Sequence, residues 1–247
     1  LSIAAAALLA IPSAAVDTAT VAPAAAPTTI VIGFVGGFIG ENSSHHGTVI
    51  IAQQIRRTAP QGTFVQVFEN RRRKRARETV LRLLDADHDG VLSPREKRNA
   101  RIILYGHSWG GAAAVLLARD LQREGVPLLL TVQIDSVAKF WQSDSVIPEN
   151  VQRAVNFYQT HGLLHGQRHI TAADPAKTEI LGNYRMDYRK APVACAGAAR
   201  WERLLTPGHM QSECDPQVWW RIENLVTREI ESAASAQRIS EAQPPSR

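Results

Sequence analysis

The sequence predicts an α/β fold, a mostly parallel sheet with helices on both faces. Three observations carry that expectation. The unbroken apolar runs Ile30 to Phe34, Ile102 to Tyr105 and Leu128 to Ile134 have the length and composition of strands buried on both faces. Stretches with helical spacing alternate with them, as crossovers between parallel strands require. The chain has 247 residues and is 45% apolar, which suits one domain with a sizeable core and excludes a disordered polymer.

The elements follow in order. Leu1 to Ala15 is an alanine-rich apolar run ending in small residues, with Ser13 and Ala15 where a signal peptidase would read. We expect a secretory signal; a short buried helix and an uncleaved membrane anchor are the alternatives. The run is under the ~18 residues that a full span needs. With the Ala-, Pro- and Thr-rich linker that follows, it makes up residues 1–27. The folded domain is expected over 28–230. After the first strand come Gly36-Gly37 and a polar loop, Glu41 to Gly47. Thr48 to Arg57 then reads as a helix, with Ile51 and Ile55 four apart.

Thr63 to Phe68 alternates as a strand does, and Arg71 to Leu84 is a basic helix with Val80, Leu83 and Leu84 on its apolar side. An insert over 78–100 precedes the strand Ile102 to Tyr105. Ala112 to Gln122 is a helix stopped by Gly125 and Pro127. Leu128 to Ile134 ends at Asp135, and Ala154 to Tyr158 is a further short strand. Gln159 to Thr206 shows no regular pattern. Asp215-Pro216, a cap followed by proline at the first helical position, opens a last helix that runs to about Ile230. Residues 231–247, polar and holding Pro244-Pro245, are expected to form a flexible tail.

Charge and cysteines bound the partners. The net charge is +5, and Arg71, Arg72, Arg73, Lys74, Arg75 and Arg77 fall within seven positions. Such a run can mark nucleic-acid binding, but no nucleic-acid fold signature accompanies it, so a solvated helix face beside an acidic loop is expected. The only cysteines are Cys195 and Cys214. In an oxidising compartment the simplest arrangement joins them in one disulfide, and two buried free thiols are the alternative. Their spacing points to neither zinc nor a redox pair.

Gly106-His107-Ser108-Trp109-Gly110 matches G-x-S-x-G between an apolar strand and an alanine-rich helix, the context in which that motif presents a nucleophile. The glycines let strand and helix pass closely, and the sharp turn lifts Ser108 above the sheet at a helix N-terminus. A serine hydroxyl needs a base to take its proton. Among the histidines after Ser108, His209 follows Pro207-Gly208 and precedes the last helix, so it is the favoured base. His161 and His165, in a glycine-flanked stretch, are the fallback. The acid that orients the base is expected at Asp135, on the C-terminal end of its strand, with Asp144, Asp174 and Asp187 as alternatives. The oxyanion donors are expected to be the backbone N–H of Trp109 and that of Gly37 or Phe38.

With these features the chain resembles the α/β-hydrolase superfamily from about Thr28 to Ile230. The strand-elbow-helix unit around Ser108, the glycine loop at Gly36 and the order Ser, Asp, His carry the resemblance. An acid one strand after the nucleophile is similar to thioesterase domains and some lipases, which implies ester or thioester hydrolysis.

Asp85 to Glu96 resembles the twelve-residue EF-hand loop position by position. Oxygen ligands would come from Asp85, Asp87, Asp89, the Val91 carbonyl, Ser93, directly or through water, and Glu96. Gly90 stands where such loops turn sharply, and Leu92 is the apolar anchor. Helical segments, Val80 to Leu84 and Pro94 to Asn99, flank it. The resemblance implies a structural Ca²⁺ that pins the segment feeding the nucleophile strand, without touching substrate; the alternative is an acidic turn capping the next helix.

The expectation is therefore a secreted or cell-envelope serine hydrolase acting on a small-molecule ester or thioester, with no nucleic-acid partner. The rival is a catalytically silent, calcium-dependent binding module on the same fold.

Overall fold

The structure, a computed structural model, describes residues 29–195 and 206–242. The signal-like run and its linker lie outside the described residues. Among the described residues the main sheet has six strands, all parallel, where the sequence predicts a mostly parallel sheet. Its strands are β1 (Thr29–Val35), β2 (Thr63–Glu69), β3 (Ile102–His107), β4 (Leu128–Ile134), β6 (Val151–Gln159) and β8 (Glu179–Met186), in the order β2-β1-β3-β4-β6-β8. Two short segments, β5 (Val146–Ile147) and β7 (Thr171–Ala172), pair beside it.

The helices are α1 (Gly47–Thr58), α2 (Arg73–Leu84), α3 (Pro94–Arg98), α4 (Trp109–Arg123), α5 (Pro207–Cys214) and α6 (Pro216–Ala242). The central strands β1, β3 and β4 are buried along their whole length. Successive side chains of a strand face opposite ways, so each strand feeds two cores. On β1, Ile30, Ile32 and Phe34 pack with Val80 of α2 and Leu117 of α4. Val31 and Val35 pack with Ile51 and Ile55 of α1 and Ile222 of α6 on the other face.

Two stretches differ from the sequence expectation. The pattern-free region Gln159 to Thr206 contains β8, an edge strand. Half-solvated, with Gly182 and Asn183 at its centre and a register shift opposite Ala154 and Val155, it lacks the apolar alternation that betrays a strand. The last helix does not stop near Ile230 but continues to Ala242, so the flexible tail expected from residue 231 begins as helix. Ala233 and Ala234 are buried there, and alanine carries helix propensity without the bulk that marks an apolar stripe.

Candidate active site

Parallel register aligns the C-terminal ends of neighbouring strands, and the site is built on three of them. Ser108 follows β3, Asp135 follows β4 and Gln159 ends β6. Ser108 N–H donates to the Ile134 carbonyl (2.9 Å), and Asp135 N–H donates to the Phe157 carbonyl (2.7 Å). The elbow is tight. Ser108 has φ 56° and ψ −127°, a region that L-residues rarely enter. A β-carbon on Gly106 would lie 2.3 Å from the Gly110 carbonyl oxygen, and one on Gly110 would lie 2.1 Å from that of Phe34. Strand and helix pass this closely only because both residues are glycine.

His209 reaches the elbow from α5. Its Nε2 lies 2.9 Å from Ser108 Oγ, and its Nδ1 lies 2.6 Å from Asp135 Oδ2. All three residues are buried. Asp135, at φ 41°, is fully enclosed. Besides His209, its carboxylate accepts from Gln159 Nε2 (2.8 Å), Gln159 N–H (3.3 Å) and Gly166 N–H (2.7 Å). Burial alone would push its pKa up; the bond and charge of His209 and the Gln159 and Gly166 donors outweigh that and hold it below the usual carboxylate value. Burial pushes His209 down, the Asp135 bond opposes this, and the neighbouring His107 adds to the lowering. The imidazole therefore titrates below the ordinary histidine value and is neutral at neutral pH. With the Nδ1 proton committed to Asp135, Nε2 offers its lone pair to the serine hydroxyl.

Of the two fallback histidines, one serves as a support. His161 donates its backbone N–H to Gln159 Oε1 (2.5 Å) and accepts at its carbonyl from Gly208 N–H (3.1 Å), while His165 is exposed. Asp144 is buried but bound to Ser136 and Gln133. Asp174 and Asp187 pair with Lys177 and Lys190.

A cleft of about 470 Å³ opens over Ser108, walled by Phe38, Ile39, Trp109, Leu164 and Met210 as well as Gly36 and Gly37. Trp109 is the first residue of α4, where backbone N–H groups lack intrahelical acceptors. The Phe38 ring meets the Trp109 ring edge-on at 5.5 Å. Asn70 Nδ2 donates to the Gly37 carbonyl (2.6 Å), which fixes the Gly37–Phe38 peptide. Because that peptide is planar and trans, the Phe38 N–H points away from Asn70.

Sequence reasoning missed Asn70, Gln159 and Gly166. The signal that could have found Gln159 is a polar residue closing a buried strand. Asn70 stands just beyond β2, where a strand end again meets the site.

The structure joins Cys195 and Cys214 in a disulfide with a Cα–Cα distance of 5.4 Å, which ties the segment before residue 196 to the end of α5. In the basic run, Arg71 and Arg72 meet Glu69, Arg73 meets Asp120, Lys74 meets Glu78 and Arg77 meets Glu124. Among the described residues, no helix is long and apolar enough to cross a membrane.

The acidic loop has a shape that suits a cation. Ligand oxygens of Asp85, Asp87 and Asp89 lie within 4.8 Å of one another. Gly90, at φ 82°, donates its N–H to Asp85 Oδ2 (3.0 Å), and Val91 N–H donates to Asp89 Oδ1 (2.7 Å). Glu96 closes the loop, accepting from Ala86 N–H (2.6 Å) and Ser93 N–H (2.8 Å). Those donors hold its pKa below the usual glutamate value. Asp85 Oδ1 is shielded from solvent and has no hydrogen-bond partner among the described residues, so its lone pairs are available to a ligand. The donor set, all hard oxygen, fits Ca²⁺. Leu92 is half-buried against the α2 side of the core.

No protein-family model and no curated protein matches the chain. Solved structures similar to it include a cutinase-like protein from Cryptococcus sp. (13% identity, covering 84% of this chain and 97% of that one, TM-score 0.41). Others are a thermostable esterase from Pseudomonas putida (11%, 85% and 76%, TM-score 0.44) and a dienelactone hydrolase from Anabaena variabilis (11%, 83% and 87%, TM-score 0.42). At these scores the likeness adds nothing to what the sheet and the elbow already display.

Proposed function

We propose that this chain is a serine hydrolase that cleaves an ester or thioester through a Ser108 acyl-enzyme. The observation that carries the reading is the unbroken line from Ser108 Oγ through both nitrogens of His209 to Asp135. His209 Nε2 takes the hydroxyl proton as Oγ attacks the carbonyl carbon. The negative charge that develops on the carbonyl oxygen is met by the N–H of Trp109 and by that of Phe38 or Gly37, of which the Asn70 bond favours Phe38. Asp135 stabilises the imidazolium, which then gives its proton to the leaving oxygen or sulfur. Water, activated by the same His209, releases the acid and frees Ser108. The apolar walls of the cleft suit an apolar acyl or alcohol group of modest size.

Calcium enters this reading as a structural ion held by Asp85, Asp87, Asp89, the Val91 carbonyl, Ser93 and Glu96. Its two positive charges would offset part of the repulsion among these four carboxylates and brace the segment between α2 and β3. The Cys195–Cys214 bridge suits an oxidising compartment, in keeping with export.

The test is hydrolysis of p-nitrophenyl acetate, butyrate and octanoate and of the matching thioesters. Wild type should turn over at least one of them, and Ser108→Ala, with an unchanged circular dichroism spectrum, should lose ~10⁴-fold or more. A wild-type rate no greater than that of Ser108→Ala on every substrate would contradict the proposal.

A further inference from the structure

Beneath the triad lies a second buried polar network that the chemistry above does not use. Glu213 sits one turn after His209 on α5, on the same helical face. Its Oε1 accepts from Gly47 N–H (2.9 Å) and lies 3.3 Å from His46 Nδ1. Its Oε2 lies 2.5 Å from His107 Nδ1, close enough for an ion pair though off the line of a well-aligned hydrogen bond. His107 Nε2 lies 2.9 Å from Ser212 Oγ, which in turn is 2.7 Å from the His209 carbonyl. The His107 ring lies 4.8 Å from that of His209, tilted by 31°. His107 and Glu213 are both buried.

The protons of this network can be assigned. A carbonyl only accepts, so the single hydrogen of Ser212 points at His209, and His107 Nε2 must donate to Ser212. His107 Nδ1 faces a carboxylate oxygen, which asks for a hydrogen there too. Glu213 is ionised: burial would raise its pKa, but His107 and then His46 bring it down to about 2. The Ser212 hydroxyl and the carboxylate oxygen 2.5 Å from Nδ1 together favour hydrogen on both nitrogens of His107, its cationic form. The groups around it are Glu213, Ser212 and His209 of α5, Asp135 at the end of β4 and His46 ahead of α1. Burial opposes its charge, yet Glu213 and Asp135 raise its pKa above the ordinary histidine value.

We propose that the buried His107–Glu213 pair is the positioning device of the active site. Glu213 ties together the helix that carries His209, the strand end that carries Ser108 and the start of α1, beyond the loop that carries Gly37 and Phe38. His107 gives the imidazole of His209 a floor and, through Ser212, fixes its backbone. Neither residue is proposed to touch the reacting atoms, and the role rests on the reading of Ser108 as nucleophile. An active site held by a cationic His107 loses its shape when His107 gives up its proton. The wild-type pH profile of kcat/KM should therefore fall on an alkaline limb set by His107 as well as on an acid limb set by His209.

The experiment measures kcat, KM and the pH profile for a p-nitrophenyl ester that wild type hydrolyses. It uses wild type, Glu213→Gln and His107→Gln, the last keeping a donor for Ser212 without the charge. Both variants should lose about 10- to 100-fold in kcat with KM within about threefold, and both should lose the alkaline limb. Fluorophosphonate should still label Ser108 in each. Folded variants with wild-type kcat and an unchanged profile would overturn the proposal. Should the variants fail to fold, histidine-selective ¹⁵N NMR of wild type at pH 7.5 decides: His107 protonated on both nitrogens supports it, and a neutral His107 refutes it. Loss of labelling in wild type itself would instead bring down the hydrolase reading, and the positioning role with it.

Discussion

The elbow site and the acidic loop are built in opposite ways. The loop is one contiguous segment, solvated, and its donors lie within a few residues of one another. The site is buried and gathers Ser108, Asp135 and His209 from strand ends and a helix far apart in the chain. Local chemistry shapes the first. The second exists only because parallel register brings β3, β4 and β6 to a common edge. The loop should therefore fail softly and the site abruptly, and four changes test that contrast.

The largest effect is expected from Asp135→Asn. Asparagine tolerates the positive φ of this position, so the backbone should stay. The amide cannot hold His209 in the productive tautomer, and kcat should fall by about 10³- to 10⁴-fold with ester substrate. A fall of less than tenfold would remove Asp135 from the line. Next is the double change Cys195→Ser with Cys214→Ser. Its cost in denaturant unfolding should be about 3 kcal/mol, with more activity lost than elsewhere on the surface because the bridge anchors α5. An unchanged midpoint would make the bridge incidental.

Calcium comes third. At millimolar Ca²⁺ the melting temperature of wild type should exceed that in chelator by a few degrees, on the order expected for a weak extracellular-type site. Glu96→Gln should lose that difference, and identical wild-type curves in both conditions would refute the metal. The smallest effect concerns pH. His209 must be neutral to act as base and its pKa is lowered, so activity should persist as pH falls below 6.5 and decline only through the depressed value. An acid limb with its midpoint above 6.5 would contradict the local electrostatics.

The same contrast explains what could be read from sequence. The acidic loop shows all its candidate ligand oxygens in one line of text, because their spacing is local. The elbow is equally local, and Ser108 is visible through Gly106 and Gly110. His209 and Asp135 could be inferred only from chain order and strand ends, so His161 and Asp144 stood beside them as rivals. What separates them is tertiary. His161 gives its backbone to brace Gln159 and Gly208, and Asp144 is occupied by Ser136 and Gln133. Glu213 was invisible for the same reason: nothing near it in sequence announces that His107, 106 residues earlier, faces it. β8 escaped because Gly182, Asn183 and the register shift opposite Ala154 and Val155 break the alternation a half-wet strand would otherwise show, and the end of α6 because alanines bury without an apolar stripe.

The most direct measurement is intact-mass and peptide mapping after a fluorophosphonate probe reacts with the folded protein. Activated by a neutral His209 at 2.9 Å, Ser108 Oγ should carry one adduct, absent in Ser108→Ala and strongly slowed in Asp135→Asn. Folded, calcium-loaded protein that acquires no adduct, or acquires it at another residue, would contradict the account and leave a silent binding module on this sheet.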